Sequence, residues 1–178
     1  MITIVNYGLG NFGSLLNMFR RIGAKASLEN DPDKIIKAKK LILPGVGAFD
    51  TAINEINNQI GLREVLNQKA MKDKVPILGI CLGMQILTEK SEEGKRLGFG
   101  WIPSKTLKFP KNKILKVPHM GWNNTKVMYQ NSLSNNLDAS ARYYFVHSYY
   151  VRVDQQKFSL MKTTYGIDFD SAIFKDNI

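Results

Sequence analysis

Cys81 is the only cysteine of the chain, and it stands between Gly79 and Gly83 in the segment Val75-Pro-Ile-Leu-Gly-Ile-Cys-Leu-Gly-Met-Gln85. Ile77 to Ile80 reads as a short, fully buried strand, and Met84, Gln85, Ile86 and Leu87 suit the helix that follows it. A nucleophile flanked by two glycines at a strand-to-helix corner has the pattern of a Gly-x-Ser-x-Gly elbow, whose sharp turn tolerates only small neighbours. Free N–H groups and the dipole at a helix N-terminus lower a thiol's pKa, so the expected state of Cys81 is a reactive thiolate. A lone cysteine is otherwise a small core hydrophobe. That alternative gives no reason for glycines on both sides.

A second glycine constellation points elsewhere. Gly8-Leu-Gly-Asn-Phe-Gly13 follows an apolar run, opens a helical one, and has Glu29 about twenty residues downstream, as a dinucleotide-binding turn does. Taken alone it argues for a dehydrogenase, with NAD binding as the discriminator. The fingerprint is short, glycine-rich first turns are common where a strand meets a helix, and this reading leaves Cys81 idle.

The elements that position these residues alternate in the first half of the chain. Ile2 to Asn6 reads as a strand. Phe12, Leu15, Leu16, Phe19 and Ile22 recur at helical spacing up to Gly23, a suitable C-cap. Lys25 to Glu29 and Leu41 to Leu43 are further strands, the latter followed by Pro44-Gly-Val-Gly47, and Ala48 to Gln68 is mostly helical with a break at Gly61. Repeated strand-helix alternation predicts a mostly parallel central sheet flanked by helices, an α/β fold. From Phe99 onward short β-rich runs follow, at Ile114 to Val117, Arg142 to Val153 and Phe158 to Thr163. They are expected to extend the same domain, so residues 1–178 read as a single one.

The chain's 178 residues can bury a substantial core, and 44% hydrophobic content with mixed charge excludes disorder. One cysteine precludes an internal disulfide, no leader precedes Met1-Ile-Thr-Ile-Val5, and no run is long enough to span a membrane, so a cytoplasmic protein is expected. The net charge of +10 comes from scattered lysines, dense only at Lys34 to Lys40 and Lys105 to Lys116, and neither stretch matches a nucleic-acid module. Solvated faces, or second an acidic partner, account for it better than nucleic acid does.

Four stretches, Pro44-Gly-Val-Gly-Ala-Phe49, Gly79-Ile-Cys-Leu-Gly-Met-Gln85, Lys116-Val-Pro-His-Met-Gly-Trp-Asn123 and Tyr144-Phe-Val-His-Ser-Tyr149, together resemble the class I glutamine amidotransferases. More narrowly the chain resembles the glutaminase subunits of imidazole glycerol phosphate synthases, which act in histidine biosynthesis. The opening Val5-Asn-Tyr-Gly-Leu-Gly-Asn11 is similar too, which takes weight from the dinucleotide reading. The resemblance implies a flavodoxin-like fold with an added β-rich portion and no cofactor or metal. It also implies glutamine as substrate, and a heterodimer in which the partner, a cyclase subunit, receives the ammonia.

The resemblance further implies roles. Cys81 would attack the glutamine amide carbon, giving a thioester and ammonia. The backbone N–H of Leu82 and that of Val46 would form the oxyanion hole, with Gly45 and Gly47 easing reorientation of the Val46 peptide. Gly45, Gly47, Gln85, Tyr144, Ser148 and Tyr149 would surround glutamine. Pro118, His119, Met120, Gly121, Trp122 and Asn123 would meet the partner. The family's His-Pro-Glu stretch, which supplies the base and its orienting carboxylate, is absent from the sequence. The expectation is a C-terminally truncated chain that turns over poorly, with His119 and His147 the only histidines. Two further readings stand beside the main one: a paralogous glutaminase serving another synthase, such as one amidinating a sugar, and a catalytically dead binding subunit.

Overall fold

The computed structural model describes residues 1–110, 115–138 and 141–178. In the first half, β1 (Ile2–Val5) pairs in parallel with β2 (Ala26–Glu29) and β3 (Leu41–Gly45), and β3 pairs in parallel with β4 (Ile77–Cys81). The four-stranded sheet has the order β2-β1-β3-β4. Every residue of β3 is buried, as a central parallel strand covered on both faces requires.

The connecting helices start where polar side chains can take up free N–H groups. Asn11 caps α1 (Phe12–Arg21) by accepting the N–H of Ser14 at 3.2 Å, and Asp31 caps the single turn α2 (Pro32–Ile35) through Asp33 at 2.9 Å. α3 (Phe49–Asn58) and α4 (Leu62–Asn67) are separated at Gly61, whose φ of +80° lies in the left-handed region that glycine adopts without strain. Phe49, Ile53 and Ile56 of α3 and Leu62 and Leu66 of α4 pack with Val5 and Leu43 in the main core. Burial of each such side chain contributes about 1.5–3 kcal/mol. α5 (Leu82–Gln85) follows β4 directly.

The second half is antiparallel. β5 (Ser104–Lys108), β6 (His119–Asn124), β7 (Lys126–Val127), β8 (Arg142–His147), β9 (Tyr149–Val153), β10 (Ser159–Thr164) and β11 (Asp168–Ile173) form a five-stranded sheet, β5-β9-β11-β10-β7, and a separate two-stranded ribbon, β6-β8. Buried Asp170 pins the larger sheet by accepting the Val153 N–H at 2.9 Å and the Ser159 hydroxyl at 2.6 Å. The two halves meet at the end of the chain, where Ile178 packs against both cores and the Ile77 N–H reaches the Asn177 carbonyl at 2.9 Å.

Several local expectations are corrected. β4 is not fully buried: Leu78 and Ile80 are exposed because β4 is the last strand of its sheet. The helix after Cys81 is a single turn, and Ile86 and Leu87 lie beyond it. Leu115 to Val117 are not a strand, the strand beginning instead at His119, and Ile114 lies outside the described residues. Arg142 to Val153 is two strands, since the chain passes at Ser148 from the ribbon to the larger sheet.

Candidate active site

β3 and β4 run in register from Leu41 opposite Ile77 to Gly45 opposite Cys81, so the turn after Pro44 and the cysteine corner open side by side. Cys81 has φ +56° and ψ −116°, a conformation that costs a non-glycine residue of order 1–3 kcal/mol and holds the side chain out of the strand. The cysteine is exposed, which removes the core-hydrophobe reading. The flanking glycines are dictated by crowding. A Cβ on Gly83 would lie 1.7 Å from the Leu43 carbonyl oxygen, and one on Gly79 would lie 2.5 Å from the Gly83 carbonyl oxygen and 2.8 Å from Met84 Cα. Side chains there would push α5 off β3 and β4, and Cys81 would move with it.

The electrostatics differ from the expectation. Burial pushes the Cys81 thiol up, and the Leu82 N–H pulls against it without prevailing. One helical turn is too short to build the dipole on which a lowered pKa depended.

Beneath the corner, fully buried Tyr7 donates its hydroxyl to the Pro44 carbonyl, and burial, followed by the charge of Cys81, raises its phenol pKa. Val46 is 54% exposed and Gly47 has φ +116°, so the turn stands open beside the cysteine, anchored at Tyr7 and free at its tip. On its far side the Glu93 carboxylate accepts the Phe49 N–H at 2.8 Å, and Asp50 accepts the Lys95 and Arg96 N–H groups, each at 2.9 Å at closest. Tyr7, Glu93 and Asp50 hold this turn, and sequence reading named none of them. The signal available was weak, because Glu93 lies 44 residues from Phe49 and the N–H groups that Asp50 accepts lie 45 and 46 residues on.

A cleft of about 460 Å³ lies between β4 and the β-rich half, lined by Cys81, Gln85, Tyr144, His147 and Tyr149. The residues singled out around glutamine thus divide. Gln85, Tyr144 and Tyr149 share the cleft with Cys81, whereas Gly45 and Gly47 belong to the adjoining turn and Ser148 is the link between β8 and β9, outside the cleft lining. The ribbon divides as well. Met120 and Trp122 are 61% and 64% exposed, opposite Val146 and Tyr144, and the Trp122 and Tyr144 rings meet edge-on at 5.7 Å. His119 is 2% exposed and faces inward, so its side chain does not belong to the apolar outer surface.

His147 lines the cleft with Cys81, but the ring nitrogens of both histidines are bonded elsewhere. His119 Nδ1 and His147 Nε2 are 2.9 Å apart, His119 Nε2 meets the Asn123 amide nitrogen at 3.3 Å, and His147 Nδ1 meets the Tyr149 carbonyl at 2.8 Å. All four ring nitrogens are occupied. The dinucleotide reading also fails on geometry. A Cβ on Gly13 meets nothing within 4 Å, so this glycine is not there for close packing, and the Glu29 carboxylate is taken by the N–H groups of Asn30 and Asp31 and by Lys34 at 3.5 Å. Among the described residues no helix is long and apolar enough to cross a membrane.

Comparison with known proteins places this geometry. Residues 3–176 match the family described as glutamine amidotransferase class-I. The imidazole glycerol phosphate synthase subunit HisH 2 of Methanococcus maripaludis is 51% identical over 178 residues, covering 100% of this chain and 88% of that protein. The subunit HisH 2 of Pseudomonas aeruginosa is 40% identical with the same coverage, and HisH of Archaeoglobus fulgidus is 43% identical over 99% of this chain and 86% of its own length. Among solved structures, a glutamine amidotransferase superposes with TM-score 0.70 at 15% identity, over 94% of this chain and 86% of its own. A glutamine amidotransferase of Thermotoga maritima does so with TM-score 0.65 at 13% identity, over 99% of this chain and 71% of its own. At those identities the superpositions establish the fold.

Proposed function

The chain belongs to the class I glutamine amidotransferases, and from that premise we propose that it is the glutaminase subunit of an imidazole glycerol phosphate synthase, one amidotransferase domain working in the cytoplasm beside a cyclase subunit. Glutamine enters the cleft between β4 and the β-rich half. The Cys81 sulfur, as thiolate, adds to the side-chain amide carbon; the tetrahedral oxyanion collapses to a thioester as ammonia leaves with a proton, and water then releases glutamate. The Leu82 N–H, next after the nucleophile, is the first oxyanion donor, and the Val46 N–H at the open turn is the second. Met120 and Trp122 offer the partner an apolar, aromatic surface of the kind found at interface centres.

The observation that carries this reading is the pairing of Cys81, which lines the cleft from its strained corner, with Gly45 at the start of the adjoining turn. The test is covalent. A glutamine-shaped chloroketone should label Cys81 stoichiometrically, glutamine should protect it, and a cyclase subunit should bind the chain in titration. Labelling that glutamine does not slow would refute the substrate, and absence of binding would refute the partner.

A further inference from the structure

The hydrogen bonds through the two histidines fix every proton in them. Asn123 receives the Asn124 N–H on its oxygen at 2.8 Å and donates from its nitrogen to the Thr164 carbonyl at 3.0 Å, so its amide orientation is set. Its second N–H therefore points to His119 Nε2, which must accept. His119 then carries its proton on Nδ1 and donates to His147 Nε2. His147 in turn carries its proton on Nδ1 and donates to the Tyr149 carbonyl, which can only accept. The result is a one-directional relay, Asn123 to His119 to His147 to Tyr149, with both rings neutral. Stacking holds the first ring in place: His119 lies against Tyr165 at 3.9 Å and Phe145 at 4.8 Å, and the Phe109 edge meets His147 at 5.2 Å.

The relay runs across a joint. Ser148 is the single residue between β8 of the ribbon and β9 of the larger sheet, and the His147–Tyr149 hydrogen bond spans it. His119 and His147 are also direct cross-strand partners, one register position from the exposed Met120–Val146 pair.

We propose that His119 and His147 are positioning residues that transmit the seating of the partner on Met120 and Trp122 to the carbonyl of Tyr149, a residue that lines the glutamine cleft. The inference rests on the function proposed above, because it takes its two ends from that reading. A partner that tilts the ribbon must move either this hydrogen-bonded joint or the relay that braces it. With the relay intact the ribbon and the joint move together.

The experiment measures labelling of Cys81 by the glutamine-shaped chloroketone relative to iodoacetamide, with and without saturating cyclase subunit, in the 178-residue chain and in His119→Phe. Phenylalanine keeps the stack on Phe145 and Tyr165 and removes both relay contacts. In the unaltered chain the partner should raise the ratio about fivefold or more, the range of ordinary allosteric coupling, and His119→Phe should lose that rise. A general loss of structure would alter iodoacetamide labelling as well, so the ratio isolates the glutamine cleft at Tyr149. A rise that survives in His119→Phe, or no rise in an unaltered chain that does bind the cyclase, overturns the relay's role. Failure to bind the cyclase at all refutes the function reading instead. Independently, ¹⁵N imidazole spectra of the free chain should show both histidines as Nδ1–H tautomers. An Nε2–H tautomer at either position removes the relay.

Discussion

The Tyr7 hydroxyl donates to the carbonyl of Pro44, one residue before the turn that begins at Gly45. That contact leaves no room above it. A Cβ on Gly45 would sit 2.5 Å from the Tyr7 oxygen, 2.9 Å from Leu82 Cβ and 3.1 Å from the Gly83 nitrogen. Gly45→Ala should therefore destabilise the chain by about 1–3 kcal/mol, as overpacking does. Tyr7→Phe removes the nearest of the three obstacles, so the double variant should lose less than the sum of the single losses. Strict additivity in urea denaturation would show that Tyr7 does not fix the turn.

Cys81 alkylation carries a definite pH dependence. The folded thiol titrates above its ordinary value, chiefly through burial. Iodoacetamide should thus react more slowly at neutral pH than with an unperturbed thiol, and the rate should still be climbing with pH where that thiol has levelled off. The same shift makes stability full below the unfolded thiol's pKa and lowers it as pH rises through the folded one. Labelling at neutral pH faster than that of a free thiol would restore the thiolate.

Turnover by residues 1–178 should be slow even with the cyclase present. The leaving ammonia needs a proton, both histidines are held by each other and by their neighbours, and lack of a general acid costs about 10² to 10⁴ in rate. Added imidazole should raise ammonia release. Rapid release without it would require His147 to leave Tyr149 and His119 and turn to the cysteine.

Acid should weaken the fold through His119. Burial, followed by the neighbouring His147, lowers its pKa from 6.5 to about 4. The unfolded chain therefore binds more protons across that interval, and the stability present above it is lost as pH falls through it. Urea midpoints measured across the interval should decline, and His119→Phe should flatten the decline. An unchanged slope in that variant would assign the acid sensitivity elsewhere.

Trp122→Ala should leave the free chain's stability within about 0.5 kcal/mol, because the side chain is exposed. The same change should weaken cyclase binding by about 2 kcal/mol or more, the loss typical of an aromatic anchor at an interface centre. Equal affinities would move the docking face off the ribbon.

The parallel strands, the helix over Phe12–Arg21 and the break at Gly61 were legible because period and glycine position are local properties. The elbow was legible for the same reason, since two glycines around one cysteine record a close approach of backbones. What escaped depends on contacts distant in sequence. The burial of β4 could not be read because a continuous apolar run does not say whether its strand lies inside a sheet or at its end. The thiol's pKa followed a helix that exists for only four residues. Tyr7, Glu93 and the paired histidines act on groups 37, 44 and 28 residues away, and no spacing rule reaches that far. His119 was grouped with Trp122 by proximity in sequence, yet alternation along β6 turns the two side chains to opposite faces.

The ribbon of β6 and β8 has only two strands, and two strands seldom hold together in water without help from outside the pair. Its help comes from the aromatic stack and the relay on one face, while Met120, Trp122, Tyr144 and Val146 stand exposed on the other. Local opening should accordingly begin here, and its amides should exchange hydrogen for deuterium well before those of buried β3. The least protected backbone and the proposed docking face are then the same residues. A bound partner would register as slowed exchange concentrated in His119–Asn124 and Arg142–His147.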